Sequence, residues 1–222
     1  MKIIEEAQKR KAKSLSEYES KLVLAEYGIP ITREGLVTTA DEAVKKAEEI
    51  GYPVVLKGSG EAISHKTEMN LISLNLKSED EVRQAYQELT TAPKAMVKEV
   101  LVQEMIKGDR ELAVGLIRDA QFGPCVMFGL GGIFAEILKD VSFRVAPLTR
   151  WDAQDMMDEI QGKKILDAIR GEPAADRETL TDILTAVGQI GLDHEQIKEI
   201  DINPVTLMEG KPIAVDALIV FE

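Results

Sequence analysis

The sequence predicts a mixed α+β fold built from two lobes. Over roughly the first 95 residues, helix and strand signals alternate, which favours an α/β lobe. From about residue 100 onward, strand-like segments follow one another across Gly-containing turns, which favours an antiparallel sheet. The chain has 222 residues, of which 45% are hydrophobic and 30% charged, so it is long enough to bury two cores. We therefore predict lobes over residues 1–98 and 99–222.

Three helix starts carry the same capping signal, a hydroxyl residue followed three positions later by Glu. The pairs are Ser16/Glu19, Thr39/Glu42 and Ser78/Glu81. The first helix is predicted to stop at Gly28 and to place Tyr18, Leu22 and Ala25 on one face. The second is predicted to stop at Ile50.

Short apolar runs predict the strands. The run 54–57 ends in Lys57, and residues 71–76 alternate between apolar and polar side chains. Further strands are predicted at 100–105, 110–118, 124–128 and 133–139. A helix over 176–190, capped by Asp176, precedes a hairpin of 197–205 and 213–220.

Composition excludes several classes of function. The chain carries 27 Lys and Arg against 39 Asp and Glu, a net charge of −12, and this field repels a phosphate backbone, so we expect no nucleic-acid partner. Cys125 is the single cysteine, so it cannot form an internal disulfide. No apolar run is long enough to be a secretory signal or a membrane span. Together these features predict a cytoplasmic protein without a membrane partner.

Oxygen-bearing side chains alternate along the first strand of the final hairpin. Because the period of a strand is two, Glu199, Asp201 and Asn203 are predicted to share one face. Asp216 lies on the returning strand. Carboxylate and carboxamide oxygens are donors that Mg²⁺ accepts. The alternative is an ordinary polar outer face of an antiparallel hairpin.

Two features are suited to phosphate. Lys57 ends an apolar run, where a charge is costly unless it meets an anion or reaches solvent. The glycines Gly129, Gly131 and Gly132 could let backbone amides approach phosphate oxygens, although a plain turn is the alternative.

Polar loop and strand-end residues complete the candidate set. His65 and Lys66 lie in a predicted loop, where an imidazole could attack phosphorus while the lysine offsets phosphate charge, or both could be solvated surface. Arg144 is a candidate second cation for phosphate, with pairing to surface acids as the alternative. Glu104 ends one predicted strand and Glu111 begins the next, which would let them contact a nucleoside.

The order of these segments resembles the ATP-grasp part of the NDP-forming acyl-CoA synthetases, specifically the beta subunits of ADP-forming acetyl-CoA synthetases. The resemblance spans nearly the whole chain. The matching segments are Ser16-Glu17-Tyr18-Glu19-Ser20-Lys21, Tyr27-Gly28-Ile29-Pro30, Tyr52-Pro53-Val54-Val55-Leu56-Lys57, His65-Lys66, Val102-Gln103-Glu104, Phe122-Gly123-Pro124, 129–136, Pro147-Leu148, Asp201-Ile202-Asn203-Pro204 and Val215-Asp216-Ala217.

The resemblance implies an ATP-grasp fold whose two lobes enclose a nucleotide cleft for ATP or ADP with Mg²⁺. It implies these roles: phosphate contact for Lys57, the adenine hinge for Glu104 and the nearby backbone, which includes Val102, a ribose or phosphate-side contact for Glu111, and magnesium ligation for Asp201 or Glu199, Asn203 and Asp216. His65 would carry phosphate between the nucleotide and a distant acyl-CoA site.

The leading hypothesis is therefore the ATP-binding beta subunit of an ADP-forming acyl-CoA synthetase, active with a CoA-binding alpha subunit. A non-catalytic ATP-binding module is the alternative, favoured because Asn70 and Leu71 stand where the family usually carries glycines. A stand-alone carboxylate–amine ligase would need neither His65 nor CoA.

Overall fold

The computed structural model describes residues 1–59, 71–91, 97–132, 140–169 and 171–222. The α-helices of this part of the chain are α1 Lys2–Lys9, α2 Glu17–Glu26, α3 Ala40–Ile50, α4 Glu79–Thr91, α5 Arg150–Glu159 and α6 Arg177–Asp193, with a 3-10 turn at Lys163–Leu166. The strands are β1 Glu34–Val37, β2 Val54–Ser59, β3 Ile72–Leu76, β4 Glu99–Glu104, β5 Glu111–Asp119, β6 Gly123–Leu130, β7 Val141–Val145, β8 Ile197–Met208, β9 Lys211–Ala214 and β10 Leu218–Phe221.

The chain divides into two compact units. The four-stranded unit comprises Thr32–Ile106, and the six-stranded unit comprises Met1–Ile31 together with Lys107–Glu222. This division differs from the predicted lobes 1–98 and 99–222. The reason is that the first two helices bury apolar side chains, including Leu24, in the same core as the strands of the second half of the chain.

The four-stranded unit has the strand order β1-β4-β2-β3, and every neighbouring pair is antiparallel. Strand β4 lies between β1 and β2, which come before it in the chain. Helices α3 and α4 contact each other and the sheet. Their apolar side chains form one core with Leu56, Val100 and Val102.

The six-stranded unit has the order β10-β8-β5-β6-β7, with β9 pairing β8, and all of these pairs are antiparallel as predicted. Helix α6 packs on β5 and β6. Its buried side chains include Leu180, Leu184 and Val187, in agreement with the predicted amphipathic helix. Asp176 caps α6 by accepting a hydrogen bond from the Thr179 amide.

Helix α2 has the predicted capping box, since Ser16 and Glu19 each accept from the other's backbone amide. The predicted face is wrong, however. Ala25 is exposed, whereas Glu17, Ser20 and Lys21 are buried. This face is tolerated because the Lys21 ammonium lies 2.9 Å from a Glu17 carboxylate oxygen.

Most of the remaining predictions on the described elements are confirmed within a few residues. The single returning strand predicted over 213–220 is wrong, because β9 pairs with 205–208 of β8 and β10 pairs with 197–201. Asp216 lies in the segment between β9 and β10 and not on a strand. The predicted strand 133–139 lies outside the described residues. Within the described part of the chain, no helix combines the length and the apolar character that crossing a bilayer requires.

Candidate functional site

Strand β8 presents the predicted polar face. Glu199 and Asp201 are exposed and Asn203 is half-buried, whereas Ile200 and Ile202, which alternate with them, are buried. The alternation predicted from the period of two is therefore confirmed.

Asp216 lies beside this face. Leu218 of β10 is the register partner of Asp201, so Asp216 precedes that pair by two residues. The Val215 amide donates to the Pro204 carbonyl over 3.0 Å, which places Asp216 next to the segment that follows Asn203.

The acidic groups repel one another. Partial removal from water, followed by the negative charges of Glu199 and Asp216, raises the pKa of the Asp201 carboxyl above its usual value, although the side chain still reaches solvent. A bound cation would relieve this repulsion, because an opposite charge favours the ionised carboxylate. The arrangement therefore favours a cation between β8 and the segment before β10.

Three further predicted residues meet at one end of this face. The Gly132 amide donates to Asn203 Oδ1 over 3.2 Å, and the Gly131 amide donates to the Glu111 carbonyl over 2.8 Å. A Cβ on Gly132 would lie 1.9 Å from Glu111 Oε2, so the carboxylate of Glu111 lies against this glycine. The structure thus brings Glu111, Gly131, Gly132 and Asn203 together.

The two glycines are required here by geometry. Gly132 has φ = 57°, in the left-handed region, and a Cβ on Gly131 would lie 2.5 Å from the Leu112 carbonyl oxygen. Both amides already donate to acceptors within the protein. The predicted delivery of these amides to phosphate therefore requires Gly131 to exchange the Glu111 carbonyl, and Gly132 to exchange Asn203 Oδ1, for phosphate oxygens.

The donor set fits magnesium. Among the described residues, no three His, Cys, Asp or Glu side chains cluster closely enough to form a complete metal site. Mg²⁺ is usually held by only one or two carboxylates together with substrate phosphates and water. Asp201 and Asp216 supply two carboxylates, and Asn203 supplies a carboxamide oxygen.

Lys57 lies in the four-stranded unit, in β2, where it pairs with Leu101 and Ile72. Lys57 is only 5% exposed. It therefore does not extend freely into solvent, as a strand-end lysine with no anion to contact would do. A buried ammonium needs a negative or polar partner. Lys57 has such an interaction within the protein, and its contact with a phosphate stays a prediction.

The two hinge candidates differ in position. Val102 is fully buried and its side chain belongs to the core of its unit, so a hinge contact there would be made by the backbone. Glu104 ends β4, and both of its carboxylate oxygens accept from Arg33, from the amide over 2.7 Å and from Nε over 2.8 Å. In this structure Glu104 therefore holds β4 to the start of β1.

Arg144 has the paired environment that the alternative interpretation described. Its guanidinium donates to Asp155 over 2.5 Å and to Glu159 over 2.9 Å, both on α5. Its register partner Val126 belongs to the core, and Phe143, the residue before it, is exposed. Arg144 thus faces the side of the sheet opposite Asp201.

His65 and Lys66 lie outside the described residues. Sequence reasoning assigned no role to Glu17 and Lys21, although both belong to the first matching segment. Two charged residues at i and i+4 on a helix were the available signal, but such pairs are usually exposed.

The fold and the acidic site define a nucleotide-binding domain of one family. The chain belongs to the ATP-grasp domain family, whose model matches residues 6–221. Within that family it belongs with the beta subunits of ADP-forming acyl-CoA ligases, which confirms the resemblance seen in the sequence. Subunit beta of acetate–CoA ligase (ADP-forming) I from Pyrococcus furiosus is 46% identical over 220 residues, covering 97% of this chain and 94% of that protein.

Two further relatives add detail. A structure of Ca. Korarchaeum cryptofilum dinucleotide-forming acetyl-coenzyme A synthetase 1, with coenzyme A and Ca-AMPCP, matches with a TM-score of 0.95 and 42% identity, covering 100% of this chain and 99% of that chain. Another structure of that protein contains Mg-AMPPCP and a phosphohistidine segment pointing towards the nucleotide-binding site. Acetate–CoA ligase (ADP-forming) I from Archaeoglobus fulgidus is 43% identical over 87% of this chain, which spans 29% of that protein.

Proposed function

We propose that this chain is the nucleotide-binding beta subunit of an ADP-forming acyl-CoA synthetase, with acetyl-CoA as its substrate. It moves a phosphoryl group between ADP or ATP and the acyl-CoA site of a partner chain. The observation that carries the proposal is the polar face of β8 beside Asp216, completed by Glu111 and Gly132. Membership of the ligase family supports the same reaction.

The six-stranded unit holds the metal and the phosphates. Asp201 and Asp216 supply the carboxylates and Asn203 the carboxamide oxygen. When bound, Mg²⁺ neutralises the charge of the nucleotide phosphates during transfer. Glu111 lies against Gly132 at the end of this face. We assign it the contact with the ribose, or with the phosphate side of the nucleotide.

Lys57 contacts a nucleotide phosphate. Its burial supports this role, because an ammonium held in a partly dry site interacts with an anion more strongly than one in bulk water. Phosphoryl transfer depends on such electrostatic stabilisation more than on covalent chemistry by the protein.

His65 carries the phosphoryl group. Inorganic phosphate displaces CoA from the acyl group at the partner's site, and an imidazole nitrogen of His65 then takes the phosphoryl group, releasing the carboxylate. A terminal oxygen of ADP next takes it from the imidazole, forming ATP and regenerating His65. Lys66 offsets phosphate charge. A relative with a phosphohistidine segment supports this route.

The partner is a CoA-binding alpha subunit. Relatives of the same family are either named as beta subunits or are longer chains of which this region is about a third, and both arrangements support a second region that completes the enzyme. We propose a cytoplasmic location, in line with the single cysteine.

The test compares the chain's two histidines in the complex reconstituted with the alpha subunit. His65→Ala should lower ATP formation from acetyl-CoA, ADP and phosphate by more than about a thousandfold, since the covalent carrier is lost. His194→Gln is the matched control, because His194 contacts Tyr27 in the six-stranded unit and belongs to none of the segments that carry the proposed site. Both variants should bind Mg-ADP as the unmodified chain does.

The other outcomes separate the alternatives. Nucleotide binding without phosphotransfer in the unmodified complex would identify a non-catalytic module. Ligase activity without the alpha subunit would identify a stand-alone carboxylate–amine ligase. Equal activity of His65→Ala and the control would remove the phosphohistidine route.

A further inference from the structure

Helix α2 is connected to the segment that carries Asp216. The Lys21 ammonium donates to the Val215 carbonyl over 3.1 Å, one residue before Asp216. Three residues after Asp216, the Ile219 amide donates to Ser20 Oγ over 3.1 Å. The two hydrogen bonds hold the same segment at both sides of Asp216.

The connection lies in the interior of the six-stranded unit. Ser20 and Lys21 are fully buried, and the Lys21 ammonium also lies 2.9 Å from Glu17, whose side chain is 4% exposed. A charge removed from water is stable only in such a paired and hydrogen-bonded setting, and removing one partner leaves the other charge uncompensated. Ordinary packing would be achieved more simply by apolar side chains.

The position of the connection points to a role beyond packing. The Val215 amide donates to the carbonyl of Pro204, the residue after Asn203. Val215, whose carbonyl accepts from Lys21, therefore also joins the Asp216 segment to the Asn203 segment. The Asp216 carboxylate itself accepts from the Ala217 amide over 2.8 Å, which fixes its direction once the backbone is fixed. Through Val215, Lys21 is thus connected to the segments that carry two proposed metal ligands, Asp216 and Asn203.

We infer that Lys21, together with Ser20 and Glu17, is a positioning device that holds Asp216 in register with Asn203 for binding Mg²⁺-nucleotide. The inference rests on the proposed function, because it takes Asp216 as a metal ligand. All three residues are buried, so we assign them no contact with the metal or the nucleotide. They act through the backbone of 215–219. The device accounts for the Glu17-Ser20-Lys21 part of the first matching segment.

The test measures ADP affinity by calorimetry on the full chain, with Mg²⁺ and with EDTA. The magnesium enhancement is the dissociation constant measured in EDTA divided by the dissociation constant measured with Mg²⁺. The double variant Glu17→Gln/Lys21→Met removes both buried charges at similar volume, so neither is left unpaired. It should lower the enhancement at least tenfold while changing the affinity measured in EDTA by less than twofold. Arg10→Gln, which removes a half-buried ion pair to Glu19 of α2, should leave both values unchanged.

A folded double variant with the enhancement of the unmodified chain would overturn the inference and leave the proposed function intact. If the double variant does not fold, Ser20→Ala decides. It removes only the acceptor for the Ile219 amide and should lower the enhancement about threefold, and an unchanged enhancement would overturn the inference. Absence of any enhancement in the unmodified chain would overturn the proposed function as well, so the two failures are distinguishable.

Discussion

Replacing Gly132 by alanine should weaken nucleotide binding more than it weakens the fold. A Cβ at Gly132 would lie 1.9 Å from Glu111 Oε2 and 3.1 Å from Glu111 Cδ, so the carboxylate must swing away by more than an ångström to reach ordinary contact. The end of a glutamate side chain moves at little cost. The variant should therefore lose affinity for the nucleotide, which the Glu111 carboxylate is proposed to contact.

Two terms set the size of the effect. The left-handed backbone of Gly132, with φ = 57°, costs about 1–2 kcal/mol for a residue with a Cβ. A hydrogen bond to a charged group contributes about 1.5–3 kcal/mol, so displacing Glu111 should weaken Mg-ADP binding by about ten- to a hundredfold. For a chain of this length the backbone term should lower Tm by about 2–8 °C.

Gly28→Ala is the matched control. Gly28 also has a left-handed φ, 78°, but a Cβ there meets no atom within 4 Å, so the variant carries the backbone cost alone. Thermal unfolding should show similar Tm losses for both variants, whereas calorimetry with Mg-ADP should show weaker binding for Gly132→Ala alone. Equal affinities in the two variants would refute the proposed contact between Glu111 and the nucleotide.

Three further outcomes are expected. Arg144→Met should leave Mg-ADP affinity and turnover of the complex unchanged and lower the free energy of unfolding in urea by at most about 1 kcal/mol, because the partners of Arg144 are acids at the surface. A tenfold loss of turnover would instead support its predicted contact with phosphate. Arg110→Met should cost about 3 kcal/mol or more in the same assay, since its buried guanidinium donates to three backbone carbonyls over 2.7–3.1 Å, and a loss below 1 kcal/mol would contradict this account. Burial lowers the pKa of His194, so the unfolded chain binds its proton more readily and the free energy of unfolding should fall as pH drops below about 6.5. His194→Gln should flatten this pH dependence, and an equally steep dependence in the variant and the unmodified chain would show that other groups cause it.

Local signals in the sequence predicted the elements well where they were complete. The capping box of Ser16 and Glu19 and the apolar run of β2 are confirmed. Helix α5 was not predicted, because its capping box pairs Thr149 with Asp152 instead of with Glu or Gln. The unit boundaries were not predictable from local signals, since they depend on which distant segments share a core.

The candidate site was predictable in its parts. The period of a strand is enough to place Asp201 and Asn203 on one face. The meeting of Asn203 with Gly132 depends on the order β8-β5-β6 and its register, which no local pattern encodes. The side of the sheet that Arg144 faces was equally unpredictable. Strand alternation places Arg144 opposite Asp201 only once the register of the strands is known.

The departures from local rules gather in one region of the six-stranded unit. Carboxylates crowd together at Asp201, and a lysine is fully buried at Lys21. Each arrangement is costly for the unliganded fold, since like charges repel and a buried charge needs several partners. Both converge on the segment that contains Asp216. The rest of the sequence follows the rules of capping and strand alternation. Costly arrangements are expected at binding sites, because a bound cation with its nucleotide would offset the repulsion between the carboxylates, which the fold alone does not offset.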